Sequence, residues 1–178
     1  MSTPGRISVH DDFFWSVQTT AVRFGTERVD AYAFPQDPDY AIGADGVYTI
    51  LDTGATAIYL SKLYFSSFME KLEKKALTKL EPYKGRTYAR CVPFPSLFFL
   101  VDGQWLEVVE RDYVLDVSRA EDGSICLIQI LPTNAPFHVF GMPLFVDYTV
   151  EFDDDNMQVA FNLSSSSEKA EIDQGDAP

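Results

Sequence analysis

Apolar and polar positions alternate loosely from Trp15 to Val29, with Gly25-Thr26 as turn material between Val22-Arg23-Phe24 and Val29-Asp30-Ala31-Tyr32. That pattern predicts a β-hairpin. Pro35, Pro38 and Gly43 mark a loop, and Asp45-Gly46 reads as the turn that starts a strand over 47–51. Then the period changes. Tyr64, Phe68, Leu72 and Ala76 recur every four residues beside Phe65 and Met69, which predicts a helix capped at Ser61 and running to about Leu80, with Pro82 and Gly85 ending it. Its other side, with Glu70, Lys71, Glu73, Lys74, Lys75 and Lys79, reads as a solvated charged face.

Beyond Cys91 strand texture returns. Leu97-Phe98-Phe99-Leu100-Val101, the turn Asp102-Gly103 and Trp105-Leu106-Glu107-Val108-Val109 predict a hairpin of the type I′ class. Short strands are expected over 113–117 and 125–130, separated by the polar run from Ser118 to Gly123, and then at 139–141, 148–152 and 159–163. Pro143-Leu144-Phe145 reads as a turn or short helix near 142–147, and Asp153-Asp154-Asp155-Asn156 as the last hairpin loop. The domain reading is a flexible polar arm over 1–10, order beginning at Phe13-Phe14-Trp15, one lobe over 11–163, and a disordered Ser-rich acidic tail over 164–178.

Composition narrows this picture. The 178 residues suffice for one core but would be cramped as two domains, and 14 Phe with 9 Tyr favour a mainly β fold. A net charge of −13 repels phosphate backbones and anionic lipid, so neither nucleic acid nor a membrane surface is an expected partner. The same charge slightly favours work at low pH. No apolar run approaches the roughly 20 residues that span a bilayer, and Met1 to Arg6 lacks the apolar core of a signal peptide. No metal-ligand set or cofactor motif is present: His10 and His138 belong to no constellation, His138 reading as a packed or bridging residue, and Asp153-Asp154-Asp155 lacks calcium-loop spacing.

The sharpest candidate chemistry is Asp52-Thr53-Gly54, delivered by the apolar run Val47-Tyr48-Thr49-Ile50-Leu51 and followed by Ile58-Tyr59-Leu60. In a polar context this would be a β-turn aspartate bonding its own backbone. Apolar flanks on both sides instead leave the turn as the one polar feature of a buried pair of strands.

Ile50-Leu51-Asp52-Thr53-Gly54, the later Val139-Phe140-Gly141, and the closing Tyr148-Thr149-Val150-Glu151-Phe152-Asp153 with Val159-Ala160-Phe161 together resemble the C-terminal lobe of a pepsin-like aspartic protease. The resemblance implies a single lobe of packed β-sheets, with the longer helix after the Asp-Thr-Gly strand. It implies Asp52 as general acid or base, Thr53 tying the loop to a partner lobe, and Gly141 packing under the loop. Gly54 would offer its carbonyl to a substrate amide, Thr56 its hydroxyl, and Ile50 would line a side-chain pocket or simply fill the core. A Cys91–Cys126 disulfide is implied too, the alternative being two buried thiols; the bridge and the family suggest a secreted, vacuolar or lysosomal setting.

Family chemistry uses two carboxylates sharing one proton around a water, because like charges a few ångströms apart do not both ionise cheaply. No second Asp-Thr-Gly or Asp-Ser-Gly occurs in the chain. The expected activity is therefore an aspartic endopeptidase lobe acting on peptides or unfolded proteins, its second aspartate supplied by another lobe or a second copy. Two departures from the family pattern, Ala55 where Thr or Ser is usual and Met142 where Asp is usual, carry the other reading, an inactive structural or interaction subunit.

Overall fold

A computed structural model describes residues 6–9, 14–25, 46–118 and 124–164. The strand expected over 29–32, the loop of Pro35, Pro38 and Gly43, His10, and the acidic tail beyond Ser164 lie outside the described residues.

Fourteen strands and three helices are described: β1 Arg6–Ser8, β2 Ser16–Phe24, β3 Val47–Leu51, β4 Ile58–Ser61, α1 Lys62–Ala76, β5 Glu81–Tyr83, β6 Arg86–Arg90, β7 Leu97–Val101, β8 Gln104–Val108, α2 Glu110–Tyr113, β9 Val114–Asp116, β10 Ile125–Ile128, β11 Ile130–Thr133, β12 His138–Phe140, α3 Met142–Phe145, β13 Tyr148–Asp153 and β14 Gln158–Leu163. They build sheets of three strands (β1-β14-β13), four (β5-β6-β10-β9) and seven (β11-β4-β12-β3-β2-β7-β8). This is the mainly β architecture that the resemblance implies.

The largest sheet contains the feature that fixes the site. β12 lies parallel to β3, with His138 beside Thr49 and Phe140 beside Leu51, and antiparallel to β4 through Val139 and Tyr59. Strands β3 and β4 are consecutive in sequence yet are not neighbours, because β12 is inserted between them. The segment joining them, 52–57, must therefore arch over the end of β12.

One aromatic file anchors this arrangement. Phe24 of β2 meets Phe68 of α1 at 4.8 Å between ring centroids, Phe68 stacks on Phe99 of β7, and Phe99 meets Phe140 of β12 at 4.7 Å. Phe99 and Phe140 are fully buried. Burial of each such side chain contributes roughly 1.5–3 kcal/mol, so β12 is held by packing as well as by its ladder bonds.

Several elements differ from the sequence reading. Arg6–Ser8, expected in a polar arm, forms β1 on β14, with Ile7 buried opposite Val159. The helix begins after Ser61 as expected but without a side-chain capping bond, and it stops at Ala76, where Leu77 takes a left-handed φ of 52°. Leu80 N–H then bonds Glu73 Oε2 instead of continuing the helix. Pro82 and Gly85 do not end the helix; they lie in the β5–β6 hairpin, whose Lys84-Gly85 turn has positive φ at both residues. The strand expected over 125–130 is two strands in different sheets, parted at Gln129, whose N–H bonds Tyr113 O at 2.7 Å. Residues 113–117 begin with Tyr113 closing the short helix α2, so the strand itself is only Val114–Asp116.

Candidate active site

Strand alternation sets the faces of β3. Val47, Thr49 and Leu51 point inward and are buried, whereas Tyr48 and Ile50 point outward, followed by Asp52 on the exposed turn. On the buried side, Thr49 Oγ1 donates to Val47 O at 3.2 Å and lies 2.7 Å from Thr19 Oγ1, so two hydroxyls satisfy each other inside the sheet. Ile50 is half-buried, with Val139 of β12 and Ser16 of β2 beside it.

Backbone bonds fix the turn itself. Leu51 N–H donates to Trp15 O at 2.8 Å and Asp52 N–H to Phe140 O at 3.0 Å, which holds the end of β3 between β2 and β12. Ala55 N–H closes the turn on Asp52 O at 3.1 Å. Gly54 N–H donates to Asp52 Oδ1 at 2.8 Å, so one carboxylate oxygen is oriented by the loop's own amide. Asp52, Thr53, Gly54 and Thr56 are all exposed.

Gly141 is where the arch passes over β12. A Cβ at this position would stand 2.4 Å from both Ala55 O and Ala57 O, so no side chain fits without moving the backbone of the turn. From the next residue, Met142 N–H donates to Ala55 O at 2.8 Å. The 140–142 segment thus supports the turn from beneath with the Phe140 carbonyl and the Met142 amide.

His138 bridges one strand further in. Its Nδ1 accepts the Ser61 N–H at 3.0 Å, which puts the proton of the neutral ring on Nε2, and its ring meets Tyr64 edge to face at 5.6 Å. Burial pushes its pKa down to about 4. The residue ties β12 to the start of α1 and carries no catalytic geometry.

The structure therefore brings Asp52, Thr53 and Gly54 into one turn, sets Gly141 directly against its backbone, and leaves Ile50 two residues back on the outward face. Cys91 and Cys126 lie away in the four-stranded sheet and form a disulfide. Sequence reasoning missed the carbonyls of Trp15 and Phe140, which clamp the turn; main-chain groups leave no mark in residue identity. A family model of the eukaryotic aspartyl proteases matches residues 5–164, taking in β1, the Asp-Thr-Gly turn, the Gly141 support and the closing pair β13–β14. A search of curated proteins returns no match. With the match running over nearly the whole chain and the inserted-strand turn at its centre, this chain belongs to the eukaryotic aspartyl protease family.

Proposed function

We propose that this chain is an aspartic endopeptidase lobe, the counterpart of the C-terminal lobe in a two-lobed enzyme, and that it supplies Asp52 as one of two carboxylates that activate a water against a peptide bond. One observation carries this reading: a preorganised Asp-Thr-Gly turn, clamped at Trp15, Phe140 and Ala55, presents its carboxylate to solvent with one oxygen already oriented by Gly54. The chain holds only one such triad, so the second carboxylate comes from another lobe or from a second copy.

Neighbouring surface supports a covered site. Met142, next to Gly141, is 44% exposed, and Phe14 and Phe152 flank Trp15 with substantial exposure. Apolar side chains at the rim of an open polar turn suit an opposing lobe or an extended substrate. In the assembled site one aspartate keeps the shared proton and the other takes a proton from water as it attacks the carbonyl carbon. The exposed Thr53 hydroxyl is available to the opposing lobe, and the Gly54 carbonyl, Thr56 and Ile50 to substrate.

The test is hydrolysis of a denatured protein at acid pH by the full assembly, with Asp52→Asn as the comparison. Loss of a shared catalytic carboxylate lowers kcat by at least about a thousandfold. Equal cleavage by the Asn variant would refute the assignment. Ala55, which lacks the family's hydroxyl beside the carboxylate, together with Met142, favours one alternative, a silent scaffold lobe. That reading expects no Asp52-dependent binding of a statine-containing peptide to any assembly of the chain.

A further inference from the structure

The outer face of the four-stranded sheet is built unlike a solvated surface. Pairing registers put Glu81, Tyr83, Arg86, Tyr88, Arg90, Leu115, Ile125 and Leu127 on this one side, because directly opposed residues share a face. The opposite side carries Thr87, Ala89, Cys126 and Ile128, all buried. An antiparallel sheet with one wet face ordinarily turns polar residues outward. Here Tyr83, Leu115 and Ile125, with Val117 at the end of the row, are 39–60% exposed.

The charge of this face is also opposite to that of the chain. Among the described residues on this face, Arg86, Arg90 and the turn residue Lys84 accompany a single carboxylate, Glu81, whereas the whole chain carries −13. Lys84 Nζ sits over the Tyr83 ring at 5.2 Å, and Tyr83 meets Tyr88 edge to face. Arg86 and Arg90 have no ion pair among the described residues. Asp116 of β9 points to the other side, and its Oδ1 accepts both the N–H and the hydroxyl of Ser118. Tyrosine and arginine beside exposed aliphatic side chains, with acidic residues depleted, is the composition of a protein-binding patch.

We propose that the outer face of β5-β6-β10-β9 docks an acidic segment of a partner protein, whose carboxylates pair with Arg86 and Arg90 while its apolar side chains lie on Tyr88, Ile125 and Leu115. Charge complementarity selects this occupant. A second copy related by a two-fold axis would set the same basic face against itself, like charge on like. A nucleic acid, bound through its phosphates, would leave the aliphatic positions unused. The face lies outside the sheet that carries Asp52, so docking is independent of the proposed chemistry.

The experiment measures fluorescence anisotropy of a labelled random Glu–Tyr copolymer titrated with the full chain. Binding is expected at low salt. It weakens as salt rises, falls at least about tenfold in Arg86→Glu/Arg90→Glu, falls less in Ile125→Ser, and is unchanged in Asp52→Asn. Thermal melting of the charge-reversed chain should match the parent, because both arginines are exposed. Equal binding by parent and charge-reversed chains overturns the proposal. So does self-association that the reversal abolishes, which would make the occupant a second copy, and so does tighter binding of a labelled oligonucleotide than of the copolymer.

Discussion

His138 shows how a single buried side chain sets the conditions under which the lobe holds together. Its Nδ1 accepts the Ser61 N–H, and a proton added there would face a donor with a donor, while burial already disfavours the charge. The folded pKa of about 4 lies below the ordinary value of 6.5, so between these pH values the unfolded chain binds more protons than the folded one. Stability therefore falls as pH drops from about 6.5 to about 4 and levels off below that, a loss of roughly 3 kcal/mol from this residue. Urea midpoints measured from pH 7 to pH 4 should show this slope, and His138→Gln should flatten it by that amount. An unchanged slope in the variant would mean the imidazole is not held neutral. The net charge works in the opposite sense, since acid neutralises carboxylates that repel one another in the folded chain.

At the scale of elements, the end of α1 stores conformational strain at the surface. Leu77 takes a left-handed conformation, is 92% exposed, and so carries the conformational cost without burial to offset it. Leu77→Gly should raise stability by about 0.5–1 kcal/mol, seen as a higher melting temperature; a decrease would show that this conformation is not the one adopted. The position also explains a limit of sequence reading. The apolar period of Tyr64, Phe68, Leu72 and Ala76 is clear, but nothing in Leu77-Thr78 announces a C-cap, since leucine is a good helix former. Elements made by local pattern were legible: the hairpin of β7 and β8 follows from Asp102-Gly103, and both residues have positive φ as a type I′ turn requires. Elements made by distant pairing were not. β1 is three residues with polar ends, and only β14, about 150 residues away, makes it a strand. The Asp-Thr-Gly turn and Gly141 were readable because both demand particular side chains or their absence, whereas their clamps at Trp15 and Phe140 act through carbonyls that any residue possesses.

Across the whole molecule, one covalent link closes a long excursion of the chain, joining the end of β6 to its neighbour β10 in the four-stranded sheet. The Cys91–Cys126 bridge spans 35 positions, and the enclosed segment contributes β7 and β8 to the large sheet and β9 to the small one. On the chain-entropy estimate such a closure contributes about 3–4 kcal/mol. Cys91→Ser/Cys126→Ser should therefore lower the unfolding free energy by about that amount in urea titration. A double variant as stable as the parent would mean that the ladder of β6 and β10 and the packing around it close this excursion without the bridge. The insertion of β12 between β3 and β4 bears on how the lobe is made. Neighbouring strands of a hairpin can zip as soon as both exist, but these two must stay apart until a third arrives about 90 residues later. During synthesis the Asp52 turn therefore lacks its support until Gly141 has emerged, so a nascent chain carries this loop unsupported until almost the entire lobe is present.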